Sequence, residues 1–109
     1  MAERIPKIES LIQHVVASEL SEMLEDDSAS VTVTRVDVSP DMRHAIIWLG
    51  ILGSDSDQER IFKKISYLGS QLQAKVAKKL STKYVPRLNF KIDTGGAYAA
   101  DIDKLLRSL

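Results

Sequence analysis

The chain has 109 residues, 15 acidic and 15 basic side chains, and no cysteine. The length suits one domain over residues 1–109, and the lack of cysteine excludes a disulfide framework, a cysteine-ligated metal site and a cysteine nucleophile. No stretch approaches the roughly 20 apolar residues that span a bilayer, and the first residues lack a signal peptide's apolar run. We therefore expect a soluble, cytoplasmic monomer that does not bind a membrane.

The zero net charge hides a strong asymmetry along the chain. Residues 60–92 contain no Asp or Glu, whereas the rest of the chain holds six cations against all 15 acidic residues. Because the distribution of charge decides local attraction, one face is expected to meet an anionic partner. The cations of this segment are Arg60, Lys63, Lys64, Lys75, Lys78, Lys79, Lys83, Arg87 and Lys91.

Hydrophobic periodicity divides the chain into helices and strands. Apolar residues every three or four positions predict helices, and β-branched or alternating apolar stretches predict strands. A proline turn, a polar loop, Pro86 and Gly95-Gly96 mark boundaries between them. The predicted elements are a helix at 5–25, strands at 31–38 and 45–51 paired as an antiparallel hairpin, a helical run from 61 to 80, a strand at 87–92 and a short C-terminal helix at 97–109.

Two predicted elements contain an irregularity. The apolar parity of the first strand switches between Val33 and Val36, which indicates either a β-bulge or a Thr34 in line with Val36 on a half-buried face. Gly69 lies inside the long helical run, where glycine costs about 1 kcal/mol relative to alanine. We therefore expect two helices that meet at a bend near residues 68–70.

The order helix, strand, strand, helix, helix, strand predicts an α+β fold with helices on one face of a three-stranded sheet. This is the order of the type II KH domain, a module that grips single-stranded nucleic acid through a GXXG loop between two helices. The chain has Leu68-Gly69-Ser70 at that junction and no GXXG loop. A KH-like domain with a kinked helix in place of the loop is the predicted architecture, and it should not clamp four nucleotides in the usual way.

Two segments carry a recognisable signature, VTVTRVDVSPDMRHA at 31–45 and PRLNFKID at 86–93, the second preceded by Lys79-Leu80. In this order they resemble the bacterial ribosome-binding factor A family, and the resemblance extends from the first helix through Asp93. The chain departs at the bend, where the family usually has Ala-x-Gly and this chain places its glycine one position away. The resemblance implies a KH-like protein that binds the free small (30S) ribosomal subunit and its 16S rRNA and assists late maturation, including processing of the rRNA ends and adaptation to cold.

The predicted RNA-binding residues centre on the second half of the helical run. Lys75, Lys78 and Lys79 are spaced i, i+3, i+4 and fall within about 100° of a helix surface. Like charges so close repel each other, and an anionic backbone would relieve this repulsion. Further candidates are Lys64 in the same acid-free segment, Lys83, Arg87 and Lys91 as an extension along the connection and the outer side of the third strand, and Arg35 and Arg43 beside the hairpin turn. A merely solvated lysine-rich surface is the alternative.

The remaining polar residues do not form a recognisable catalytic or metal site. His14 and His44 fit packing or surface roles, and Trp48 fits the core better than base stacking. Asp55-x-Asp57 and Asp101-x-Asp103 fit loop solvation and helix capping. We expect no catalysis, cofactor, metal or small-molecule substrate. A general KH-type RNA binder acting outside the ribosome, and a protein-interaction domain using its basic face, remain as alternatives.

Overall fold

The computed structural model describes residues 4–81, 84–94, 106, 107 and 109. The predicted order of elements is confirmed. The elements are α1 (Arg4–Met23), a 3₁₀ helix (Glu25–Ser30), β1 (Val31–Val38), β2 (His44–Ile51), α2 (Asp55–Tyr67), α3 (Gly69–Lys79) and β3 (Arg87–Ile92). Gly95-Gly96 and most of the predicted helix at 97–109 lie outside the described residues.

The three strands form one sheet in the order β1-β2-β3. β1 pairs antiparallel with β2, as predicted, and β3 pairs parallel with β2. The register between β1 and β2 shifts between Val33 and Arg35, so the bulge is confirmed. The extra residue, Thr34, donates its hydroxyl to Asp93 Oδ2 at 2.7 Å. The bulge allows Val33 and Val36 both to face the core, although they are three positions apart.

All three α-helices pack on one face of the sheet. Their buried side chains and those of the strands form one core cluster, in which Ile12, Ile47, Leu49, Ile65 and Leu72 are fully buried. The other face of the sheet buries Ile46 and Trp48, and Leu106 packs against them. Among the described residues, no helix has the length and apolar character needed to cross a membrane.

Helix side chains satisfy backbone groups on both edge strands. On β1, Gln13 donates to the Val33 carbonyl at 3.0 Å, and the Val38 amide donates to Glu9 Oε2 at 2.8 Å. Burial raises the pKa of Glu9 despite this hydrogen bond. On β3, Gln73 accepts from the Leu88 amide at 2.8 Å. Exposed edges are templates for pairing with another chain, and these contacts occupy part of each edge.

The first helix is shorter than predicted. It ends at Met23 and not at residue 25, because Glu25 adopts a φ of 51°, outside the helical range. The chain then continues as the 3₁₀ helix through the stretch expected to be irregular, with the Asp27 amide donating to the Leu24 carbonyl at 3.0 Å. Leu24, the last residue before this turn, is fully buried four positions after buried Leu20.

Candidate nucleic-acid interface

The bend between α2 and α3 occurs at a single residue, Leu68. Its ψ is 0°, and its amide donates to both the Lys64 carbonyl at 3.1 Å and the Ile65 carbonyl at 3.0 Å, a local tightening toward 3₁₀ geometry. The helical hydrogen bond from the Leu72 amide to the Leu68 carbonyl, 3.0 Å long, is kept. The predicted bend is therefore confirmed.

The three lysines of α3 lie on its exposed surface. Leu72 and Val76 are fully buried on an adjacent side, against the core. None of Lys75, Lys78 and Lys79 forms an ion pair with an acidic side chain among the described residues. The described part of the chain thus leaves three positive charges uncompensated within about 100° of one helix.

The cations of α2 are instead paired with acidic residues. Asp27 accepts from Arg60 at 3.0 Å and also lies 3.5 Å from Lys64 Nζ, which reaches the Leu24 carbonyl at the same distance. Lys63 Nζ lies 3.5 Å from Glu59. Lys64, predicted to bind RNA, therefore already has an anionic partner and a second role at the end of α1. Residues 60–92 contain no acidic residue, but acidic residues from outside this segment neutralise part of its positive charge.

Arg87 and Lys91 lie on the other side of the sheet from the helices. In β3, Leu88 is buried in the core, so the alternation of the strand directs the exposed side chains of Arg87 and Lys91 away from the helix layer. The flank of α3 that meets β3 is marked by Gln73, and Lys75 and Lys78 are on the opposite flank of that helix. The structure thus presents the cations of β3, on its outer side as predicted, and those of α3 on two different sides of the molecule, and their joint role in RNA binding stays a prediction.

The two arginines of the hairpin also lie near the sheet face that lacks helices. Arg35 Nε donates to Asp37 Oδ2 at 2.8 Å, and this oxygen also accepts from the indole of Trp48 at 2.8 Å. The carbonyl of Arg43 accepts from the Arg87 amide at 2.8 Å, so parallel pairing of β3 with β2 brings these two arginines together. Lys83 lies outside the described residues.

The turn before Arg43 is held by hydrogen bonds to Asp41. Its carboxylate accepts from the Ser39 hydroxyl at 2.7 Å and from the Arg43 amide at 3.1 Å, and these bonds lower the pKa of Asp41. Met42 completes the turn with a φ of 64°. The backbone at Arg43 is therefore fixed, while its side chain is exposed.

The other polar residues considered above fall into structural roles. Trp48 is buried, His14 is exposed, and Ser54 caps α2 by accepting from the Asp57 amide at 3.1 Å. Among the described residues, no group of three His, Asp or Glu side chains is arranged to hold a metal ion. The pair Asp101-x-Asp103 lies outside the described part of the chain.

A groove of about 510 Å³ runs between the bend and the edge of β3. Its wall includes Phe62, Gly69 and Phe90. Gln73 lies in it and bridges two backbone groups, donating to the Pro86 carbonyl at 2.9 Å and accepting from the Leu88 amide. Part of the strand edge is therefore already occupied, which together with the missing GXXG loop disfavours a nucleotide clamp here.

Sequence reasoning missed two residues of this region, Gln73 and Tyr67. Nothing in the local sequence distinguishes Gln73 from an ordinary exposed glutamine, because its partners follow the helix by 13 and 15 positions. For Tyr67 the sequence did offer an indication of a position beside cations, since it lies three residues after Lys64 and eight before Lys75. It is 84% exposed at the end of α2.

Comparison with known proteins gives one consistent family. The family model described as ribosome-binding factor A matches residues 4–106. Ribosome-binding factor A of Thermomicrobium roseum is 30% identical over 97% of this chain and 83% of its own length. That of Geobacter metallireducens is 32% identical over 100% of this chain and 93% of its own length.

Solved structures give the same fold. A crystal structure of ribosome-binding factor A from Thermus thermophilus has a TM-score of 0.70 at 19% identity, covering 81% of this chain and 94% of that one. The solution NMR structure of a putative ribosome-binding factor A from Thermotoga maritima has a TM-score of 0.70 at 25% identity, with coverages of 91% and 96%. A homology model of the Thermus thermophilus protein, fitted into a cryo-EM map of a 30S complex, has a TM-score of 0.52 at 20% identity, with coverages of 76% and 97%.

Proposed function

Since the chain belongs to the ribosome-binding factor A family, we propose that it is a non-enzymatic assembly factor that binds the free small ribosomal subunit and its 16S rRNA. The family name supports ribosome binding, and the Thermus thermophilus protein fitted into a map of a 30S complex supports the small subunit as the partner. By occupying immature rRNA it would assist late maturation and processing. This mechanism needs binding energy and no catalytic group.

The observation that carries this proposal is the uncompensated charge of Lys75, Lys78 and Lys79. Each lysine that meets a phosphate releases condensed counterions, which favours association and makes it dependent on salt. Contacts of this kind fix the position of a protein on folded RNA without reading its sequence. The α3 lysines are thus the proposed primary contact. Arg43, Arg87 and Lys91 are proposed as a secondary set, and Arg35, Lys64 and Lys83 as weaker or peripheral contributors.

A general single-strand binder is the second candidate, and the groove beside β3 is the observation that favours it. Gln73 argues against this candidate because it already satisfies the Leu88 amide and the Pro86 carbonyl at that edge. The two candidates differ in their expected partner. An assembly factor should bind free small subunits, whereas a single-strand binder should also bind simple oligonucleotides.

The test is cosedimentation with purified free small subunits, assembled ribosomes and single-stranded oligonucleotides, over a series of salt concentrations. The wild-type chain should comigrate with free small subunits only. Replacing Lys75, Lys78 and Lys79 with alanine should weaken binding about tenfold or more and reduce the slope of log affinity against log salt by about 2. Circular dichroism should show an unchanged fold, since all three side chains are exposed.

Three results would contradict the proposal or its assignment to the α3 lysines. Equal binding to oligonucleotides and subunits would favour the single-strand binder. If the chain binds none of these RNAs, a protein-interaction domain whose basic surface contacts an acidic protein would be favoured. Unchanged affinity of the triple variant at low and moderate salt would remove the α3 lysines from the interface, even if the subunit is bound.

A further inference from the structure

Tyr67 is the most exposed large apolar side chain among the described residues, at 84%. It is the last residue of α2, and no described residue forms a hydrogen bond with its hydroxyl. A single exposed aromatic residue is not unusual on a protein surface. Its position relative to the neighbouring charges is what gives it significance.

Tyr67 lies in a stripe of polar and cationic residues that continues across the bend. Leu68 is shared by the two helices, since its amide donates to the Lys64 carbonyl of α2 and its carbonyl accepts from the Leu72 amide of α3, and its ψ of 0° bends the chain between them. Within each helix, residues spaced by three or four positions share one side, and in both helices this side differs from the flank that lines the groove beside β3. This set, called the α2–α3 stripe, is Arg60, Lys64, Tyr67, Gln71, Lys75 and Lys78.

The α2–α3 stripe faces away from β3. The opposite flank of the two helices, with Phe62, Ser66 and Gln73, lines the groove beside that strand. Tyr67 does not line this groove, and like Lys75 and Lys78 it is on a flank of its helix other than the one that meets β3. Tyr67 and Lys75 belong to consecutive helices on either side of the bend, so we expect one RNA segment to contact both.

We propose that Tyr67 is an RNA-contact residue whose ring stacks on an unpaired base of the RNA docked on the α3 lysines. The inference rests on the proposed function and adds the kind of RNA recognised, namely folded RNA with an accessible unpaired base. Cationic side chains hold the backbone, and an exposed aromatic ring offers a surface on which any base can stack. A protein partner would prefer a ring surrounded by apolar neighbours, whereas the stripe around Tyr67 holds cations and a glutamine.

Stacking and phosphate contact have different dependences on salt, and this difference tests the proposal. Affinity for free small subunits is measured over a series of salt concentrations for wild type, Tyr67→Ala, Tyr67→Phe and Lys75→Ala. Tyr67→Ala should weaken binding about tenfold and leave the salt slope unchanged, and Tyr67→Phe should bind like wild type because its ring is kept. Lys75→Ala should instead reduce the slope by about 0.7 to 0.9. Leu52→Ala is the matched control, since Leu52 is also exposed, at 72%, and lies outside the stripe.

Chemical probing of base reactivity on the same complexes identifies the stacked base. One unpaired base should be protected by wild type and by Tyr67→Phe, and should become reactive with Tyr67→Ala. Wild-type affinity for Tyr67→Ala would overturn the inference while the proposed function stands. Equal losses of affinity for the alanine and phenylalanine variants would assign the effect to the hydroxyl and overturn stacking. A loss of affinity without any change in base reactivity would indicate a protein contact and would also overturn stacking. If the wild-type chain binds no small subunit, the proposed function itself fails.

Discussion

Asp27 and Arg60 form a two-point ion pair between segments 33 residues apart. Arg60 Nη1 donates to Asp27 Oδ2 at 3.0 Å, and Nη2 donates to Oδ1 at 3.2 Å. Lys64 adds a longer contact to the same carboxylate. The pair connects the 3₁₀ helix to the middle of α2, and Arg60 remains 56% exposed, so a modest contribution to stability is expected.

Asp27→Asn should lower the free energy of unfolding at neutral pH and have no effect in strong acid. The hydrogen bonds from Arg60 lower the pKa of Asp27. A carboxylate with a lowered pKa in the folded state stabilises the protein above its unfolded pKa of about 3.9, and this stabilisation is lost as the pH falls through the folded value. Urea unfolding from pH 7 down to pH 2 measures the difference between variant and wild type.

Asp26→Asn is the matched control for this prediction. Asp26 is the adjacent residue in the same 3₁₀ helix, is exposed, and forms no ion pair with a described residue. Its substitution should change stability little at any pH. A pH-independent loss in Asp27→Asn would show that the carboxylate contributes through packing or turn geometry and not through its charge.

Gly69→Ala should stabilise the protein and preserve the bend. A Cβ at this position would lie 3.8 Å from Phe90 Cε2, an ordinary contact distance, and the bend depends on the backbone of Leu68. Alanine in place of a glycine whose conformation it can adopt contributes about 0.4–1 kcal/mol. Urea unfolding should show this gain, and affinity for small subunits should stay the same.

Gly53→Ala should have the opposite effect on stability from Gly69→Ala. Gly53 has a φ of 122°, and an added Cβ would lie 3.0 Å from Asp57 Cβ, so alanine should destabilise by about 1 kcal/mol or more. Destabilisation by Gly69→Ala of similar size would mean that the bend itself requires glycine.

Gln73→Ala should destabilise the protein by about 1–3 kcal/mol. The substitution leaves the Leu88 amide and the Pro86 carbonyl without their side-chain partners in a partly buried place. Gln71→Ala is the matched control, because Gln71 is exposed on the same helix and should change the free energy of unfolding by less than about 0.5 kcal/mol. Equal effects in denaturant titrations of the two variants would contradict a specific role for Gln73.

The parts of the fold that follow from local pattern could be predicted from the sequence. The parity switch between Val33 and Val36 indicated the bulge as one of two alternatives, and Gly69 within an apolar helical run indicated the bend. Both depend on neighbours within a few residues. The 3₁₀ helix was not predicted, because its six residues are polar or small, none of them is buried, and they carry no apolar period.

The arrangement of the cations could be predicted only in part. Helical spacing alone placed Lys75, Lys78 and Lys79 together. The neutralisation of Lys64 by Asp27 could not be seen, since the two residues are 37 positions apart and meet only through packing of α2 near the end of α1. Similarly, the alternation of side chains along β3 predicts that Arg87 and Lys91 share one face of the strand, but it does not predict which flank of α3 meets β3. That relationship is fixed by the contacts of Gln73.

The two sides of the molecule should therefore contribute unequally to RNA binding. Changing Arg43, Arg87 and Lys91 to alanine removes the same net charge as changing the three α3 lysines, so the long-range attraction of the two variants should fall equally. Any difference between them reports local phosphate contacts. On the sheet side, Asp37 carries a negative charge nearby and Leu106 packs over Ile46 and Trp48.

We expect the sheet-side variant to reduce the salt slope of small-subunit binding by less than about 1, against about 2 for the α3 variant. Parallel titrations of both variants and wild type, in one subunit preparation, measure the two slopes. Thermal unfolding of each variant checks that the folded population is the same. A larger loss from the sheet side would move the primary contact to the face without helices, and equal losses would indicate that the RNA wraps around the β3 edge to reach both.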